Sequence, residues 1–153
     1  MYETALIVHN AFRWLAFAAV AFAFMRAVSG MMGVRPFDAL DRRASLIATI
    51  VMDVQFTLGL LLYFVWSPQV KTAMQDFGAA MKNPELRYWA VEHAATMVLA
   101  LTFVHVGKVL SKKATAHASK HRRAGLWFGL ALLFMLIRTP WPGTSVPRPW
   151  LRS

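Results

Sequence analysis

Apolar residues in this chain fall into long runs, without the strict alternation of a strand. Four runs stand out: Thr4 to Met25, Ala44 to Trp66, Tyr88 to Leu110, and Arg122 to Trp141, whose unbroken apolar centre is Ala124 to Ile137. A helix that crosses the hydrocarbon of a bilayer needs about 20 residues, within a range of about 17–25. The first three runs meet this directly. The fourth meets it by extending toward His121 and Trp141, with Arg122, Arg123 and Arg138 snorkelling to the surfaces. Gly125 and Gly129 in that run form a GxxxG pair suited to tight packing on a neighbouring helix. The pattern predicts an all-α, integral membrane four-helix bundle forming one domain over residues 1–153. Between the second and third runs, Val70, Ala73, Met74, Phe77 and Met81 recur at helical spacing. They predict a short amphipathic helix over about 69–81, lying on the membrane surface. The closing stretch TPWPGTSVPRPWLRS predicts an extended segment at the interface, where Trp is favoured.

Composition supports the membrane reading. Hydrophobic residues make up 58% of the chain and charged residues 16%, against about 25% charged in an ordinary globular domain. The first run is not a cleaved leader: it lacks a basic start and a clear cleavage pattern. The absence of cysteine excludes disulfides, thiolate-held metals, cysteine nucleophiles and the covalent attachment of a c-type haem. The net charge of +10 sits between the apolar runs, which points to lipid surfaces and away from nucleic acid. One linker holds Arg26, Arg35, Arg42 and Arg43. Another holds Lys108, Lys112, Lys113, Lys120, Arg122 and Arg123. Positive residues mark the cytoplasmic side. Both termini are therefore expected on the non-cytoplasmic face, with a bacterial inner membrane as the setting.

Ionisable groups inside such runs are costly, about 2.5–3.5 kcal/mol each on insertion scales, and mark function by default. The first run carries His9 and Arg13, the second Asp53 and Gln55, and the third Glu92, His93 and His105; Arg138 closes the fourth. Because successive helices alternate in direction, His9 and His93 are expected at one level, near the outer face. His105, 12 residues beyond His93, is about 18 Å deeper, near Met52 and Asp53. Two imidazoles on facing helices can bind haem iron axially. Arg13, four residues after His9, Arg138 and Arg87 are placed to face haem propionates. Glu92 is expected to pair with Arg13 or to hold a ligand histidine by its ring N–H. At the deeper level three readings stay open: a His105/Met52 haem site, an Asp53–His105 proton-carrying pair, and a quinone head group. His117 and His121, in a basic linker, are expected to be solvated or lipid-facing.

With His9 in the first run, His93 and His105 in one later run and arginines near the outer ends, the chain resembles the small four-helix b-type cytochromes. That group includes quinone-linked di-haem cytochromes and superoxide oxidases. The resemblance implies haem b, one group or two, stacked within the bundle, and electron exchange with quinone. Two features differ. The family's paired histidines on one helix stand about 14 residues apart, whereas a spacing of 12 leaves them about 120° apart around the helix. The second run also holds Met52 and Asp53 where the family carries a histidine.

The expected function is therefore that of a membrane haem b protein moving electrons to or from quinone or a redox protein. Its metal ligands would be His9 and His93, with His105 at a second site. Rival expectations are a non-enzymatic subunit of a larger respiratory or photosynthetic assembly, a homo-oligomer among them, and a proton-coupled transporter using Arg13, Glu92 and Asp53. Signatures of soluble catalysis such as GxGxxG, a P-loop, HExxH or GxSxG are absent.

Overall fold

The computed structural model describes residues 1–151, and no strand occurs among them. Seven helices follow in order: α1 (Tyr2–Met32), α2 (Ala39–Leu61), α3 (Pro68–Gln75), α4 (Phe77–Lys82), α5 (Pro84–Arg87), α6 (His93–Lys113) and α7 (His117–Arg138). A π-helical turn, Leu62–Trp66, extends α2, and another, Tyr88–Glu92, precedes α6. Three stretches, Tyr2–Met32, Ala39–Trp66 and Pro84–Lys113, are long and apolar enough to cross a membrane. The first turns of α7 are too charged to join them, carrying Lys120, Arg122 and Arg123.

Local chemistry sets the boundaries. Past Gly33, Val34 takes a left-handed backbone (φ 48°) and Pro36 follows, so α1 cannot continue. Asp38 then starts α2 through a capping box: its carboxylate accepts from the Asp41 amide, and the Asp41 carboxylate accepts from the Asp38 amide. The expected amphipathic segment forms two short helices, α3 and α4, broken where Asp76 caps the second. Ser67, Asp76 and Asn83 each cap the next helix by a side-chain oxygen, and Pro68 and Pro84 occupy first positions, where a missing N–H costs nothing.

Among the four long helices, α1 and α6 each pack against both α2 and α7, so α1 and α6 stand at opposite corners. The interior is made largely of small residues. Ala16, Val20, Ala23 and Ala27 line α1; Ala44 and Ala48 line α2; Ala100 and Val104 line α6; and Ala124, Phe128 and Ala131 line α7. Outward faces carry large apolar side chains such as Phe22, Ile47, Ile50, Leu99, Leu133 and Ile137. This inversion, with small residues inside and large aliphatic ones outside, fits helices associating by close backbone approach in lipid. The GxxxG pair of α7 serves α1: a β-carbon on Gly129 would lie 2.9 Å from the Phe24 ring, and one on Gly125 would lie 3.2 Å from Met31 Sδ.

The end of the bundle opposite the termini is locked by charge. Asp41 is buried and accepts from Arg35 at 2.7 and 2.8 Å and from Arg26 at 3.0 Å. Arg26 also reaches Asp38 at 3.0 Å. The Asp41 amide and the Arg26 guanidinium together hold the exposed Asp38 carboxyl below its usual carboxylate range. His117 and His121 differ from expectation. The Nδ1 of His117 accepts from the Phe37 amide at 2.9 Å. His121 is fully buried, fills the space left by the absent side chain of Gly30, and donates from Nε2 to the Arg35 carbonyl at 3.2 Å. A glycine one helix away made the room, and the basic residues around His121 conceal this in the sequence.

The packing makes a paired prediction. A β-carbon on Gly107 would stand 2.8 Å from Trp127 Cβ, whereas one on Gly78 meets only Asp76 Oδ1 at 3.6 Å. Gly107→Ala should cost about 1–3 kcal/mol through overpacking, and Gly78→Ala should be neutral or gain up to about 1 kcal/mol in helix propensity. Thermal unfolding in detergent, followed by circular dichroism, tests the order; equal midpoints would contradict the close approach of α6 and α7.

Candidate functional site

A cavity of about 370 Å³ opens at the end of the bundle that holds both termini. It lies among α1, the outer half of α2 with its π turn, the π turn before α6, and the tail. His9 and His93, from opposite corners of the bundle, both line it.

The orientation of His93 can be traced to two prolines. Helix α7 ends at Arg138, and its last carbonyls need donors. Four residues beyond Leu136 and Arg138 stand Pro140 and Pro142, which have no N–H to give. The Leu136 carbonyl takes Trp141 Nε1 instead, at 2.8 Å. The Arg138 carbonyl takes the Tyr88 hydroxyl at 2.7 Å and His93 Nδ1 at 2.8 Å. A carbonyl can only accept, so Nδ1 carries the proton, and in the neutral ring Nε2 is left with its lone pair. Stacking on Tyr88 and an edge contact with Trp89, with centroids at 5.8 and 5.7 Å, fix the ring plane. A backbone carbonyl holding one nitrogen so that the other can bind is the usual support of a ligating histidine.

His9 packs its ring against Gly59, where a β-carbon would come within 3.3 Å of Cε1. Gln55 Nε2 donates to the His9 carbonyl at 3.1 Å and lies 3.3 Å from the ring Nε2. Arg13, one turn on, is buried and donates to the Trp150 carbonyl at 2.9 Å. Trp14 Nε1 donates to the same carbonyl at 3.0 Å, and the Trp14, Trp141 and Trp150 rings cluster at 5.5–5.9 Å. The tail thus folds back over the N-terminal part of α1. Its return begins at Trp141–Thr144, where Gly143 has φ 90° and the Thr144 amide donates to the Trp141 carbonyl. With Pro142 before it, this is a type II turn, which needs glycine at that place. The tail brings Arg148 to the cavity, its guanidinium 4.9 Å from the Trp89 ring centroid.

Five buried side-chain polar atoms lack a partner among the described residues: Arg13 Nε, Gln55 Oε1, Trp89 Nε1, Arg148 Nε and His121 Nδ1. The first four belong to residues lining this cavity. Each costs about 1–3 kcal/mol when unmet, and unmet groups gathered on one cavity point to a polar-edged occupant. Between them the walls are apolar, with Phe17, Met52, Phe56, Met97 and Met135 among them. No group of three or more carboxylates and imidazoles gathers among the described residues, so a bare metal ion lacks a ligand set. Haem iron needs only axial ligands from protein, since the porphyrin supplies the rest. Two imidazoles, apolar walls and two arginines fit that group.

The other anticipated residues are placed differently. Glu92 does not pair with Arg13; it binds Arg87 at 2.8 Å and Arg138 at 3.2 Å, and neither its side chain nor that of Arg138 lines the cavity. The π turn before α6 directs Glu92 toward those arginines, while the Arg13 guanidinium is held by the tail. Met52 faces the cavity and not His105, whose Nε2 meets Asp53 Oδ1 at 2.7 Å on the outward seam of α2 and α6. A His105/Met52 axial pair is not assembled. Gln55, Trp89 and Arg148 were not anticipated as site residues. For Arg148 a signal did exist, because the WPGT turn that returns the tail can be read from the sequence.

No protein family, curated protein or solved structure matches this chain.

Since the tail depends on a left-handed glycine, Gly143→Ala should release it. The left-handed penalty for a residue with a β-carbon, about 1–2 kcal/mol, corresponds to roughly 5–30-fold faster amide exchange over residues 144–151. Unchanged exchange there would show that the turn does not hold the tail.

Proposed function

We propose that the chain is a membrane-bound haem b protein that transfers electrons, with quinone as its exchange partner in the bilayer. The observation that carries the reading is the coincidence, in one apolar cavity, of two histidines from opposite corners of the bundle and four buried polar atoms without partners. His9 and His93 would hold the iron, with the Arg138 carbonyl orienting His93. Arg13 and Arg148 would hold the propionates, and the Trp14–Trp141–Trp150 cluster would keep water from the site. Bound there, haem supplies a one-electron couple, and the protein supplies ligands, countercharge and a low-polarity surround that tune it.

In this reading α7 is a fourth crossing, with its charged first turns at the membrane surface. The exposed Arg42, Arg43, Lys112, Lys113, Arg122 and Arg123 place that end in the cytoplasm by the positive-inside rule, and the termini on the other side of a bacterial inner membrane. The likeness to small four-helix b-type cytochromes belongs to the same proposal, with one haem in place of two, since His105 is engaged by Asp53. The rival subunit reading drew on the GxxxG pair and the Trp/Pro tail, and both are used inside this chain.

An absorption spectrum of the detergent-purified protein, oxidised and then dithionite-reduced, tests the proposal. The wild type should show a Soret band and a sharp reduced α band. His9→Ala and His93→Ala should each abolish them, and Arg13→Gln or Arg148→Gln should weaken haem retention by about tenfold or more, as for one lost hydrogen bond to a charged group. Circular dichroism controls for folding. Full pigment in both histidine variants, or none in the wild type after haem is supplied, would rule out the axial pair.

A further inference from the structure

Deeper in the bundle, and outside the cavity, an acid and an imidazole meet on an otherwise apolar surface. Asp53 Oδ1 accepts from His105 Nε2 at 2.7 Å, and each side chain remains 47% exposed. Helices α2 and α6 run antiparallel, so Thr57 and Thr102 face each other about one turn nearer the termini. Both are exposed, and their hydroxyls bond within their own helices, to the Asp53 and Val98 carbonyls at 2.8 Å. The surrounding surface is aliphatic, with Ile50, Val54, Val98 and Val109 exposed. Asp53 Oδ2 and His105 Nδ1 have no partner among the described residues.

Membrane helices turn ionisable groups toward the bundle interior or a polar cavity, because lipid cannot solvate them. This pair does neither. We propose that the seam between α2 and α6 at Asp53 and His105 is the binding site for the head group of a lipid-soluble quinone. The site opens sideways, so its occupant arrives through the bilayer. A carboxylate beside an imidazole offers an acceptor and a donor, matching a ring hydroxyl and a ring carbonyl, and the flanking valines offer a flat apolar shelf. A phosphate head group is disfavoured by the carboxylate. A cation would compete with His105 for it. Val98 is exposed on the seam and also lines the cavity, so one helix wall separates the two places. The inference names where the quinone of the proposed function binds; it rests on the membrane reading and is independent of the haem.

The test uses the full chain in lipid nanodiscs with a short-tailed benzoquinone bearing an aryl azide, photolysed and mapped by mass spectrometry. Label should fall within residues 50–61 and 95–109 and be displaced by excess unlabelled decyl-benzoquinone. Asp53→Asn and His105→Gln should each cut labelling about tenfold or more, as expected for one lost hydrogen bond to a charged group, with pigment and melting temperature kept. Undiminished label in both variants, or label at Trp89 and Arg148 in place of the seam, overturns the proposal. So does loss of label together with conversion of a dimer to a monomer, which would make the seam a self-contact. Alkaline extraction separately reports whether the chain spans the membrane, and labelling needs no pigment, so failure here is distinct from failure of the haem reading.

Discussion

A helix that ends against its neighbours leaves carbonyls that must find donors, and the terminus of α7 shows how much can follow from that need. Pro140 and Pro142 withhold the N–H groups that Leu136 and Arg138 would otherwise use. The chain answers with side chains from elsewhere: Trp141 for one carbonyl, Tyr88 and His93 for the other. This ties the start of α6 to the end of α7, sets the tautomer of His93, and starts the tail on its path back across α1. Without it, His93 would keep its place on the helix but lose its orientation.

The same terminus explains why the site is built from both ends of the chain. Arg13 and Trp14 on α1 share the Trp150 carbonyl, so the tail serves as a wall of the cavity. The two π turns also border it, through Leu62, Tyr63 and Phe64 on one side and Trp89 on the other. A π turn displaces side chains from the regular helical register and recurs at functional sites. Here the displaced residues surround the space that the small-residue seams elsewhere in the bundle close.

What was legible in the sequence were the groups that lipid makes expensive. His9, Arg13 and His93 stand out in apolar runs, and their shared level follows from alternating helix direction. The three long apolar helices were legible for the same reason. The reach of side chains across helices was not. Glu92 turns to Arg87 and Arg138 because a π turn, which hydrophobic periodicity does not reveal, precedes α6. His121 is buried because Gly30, 91 positions away in sequence, leaves room for its ring. Gln55 and Trp89 are ordinary residues until the cavity shows their unmet atoms.

The chain therefore places polar groups in its apolar helices in two ways. Around the cavity they are enclosed: each histidine has a backbone or amide contact, each arginine has an aromatic neighbour, and the remaining valences converge on one space. At Asp53 and His105 they are turned outward, where neither burial nor water compensates them and only each other's charge does. An enclosed set suits a group that stays, because closing the tail over it excludes water. An outward pair suits a group that arrives through the lipid and leaves again, because nothing must open to admit it. The depth of about 18 Å between His93 and His105 is thus also a division between resident and exchanging chemistry, with helix α6 carrying both.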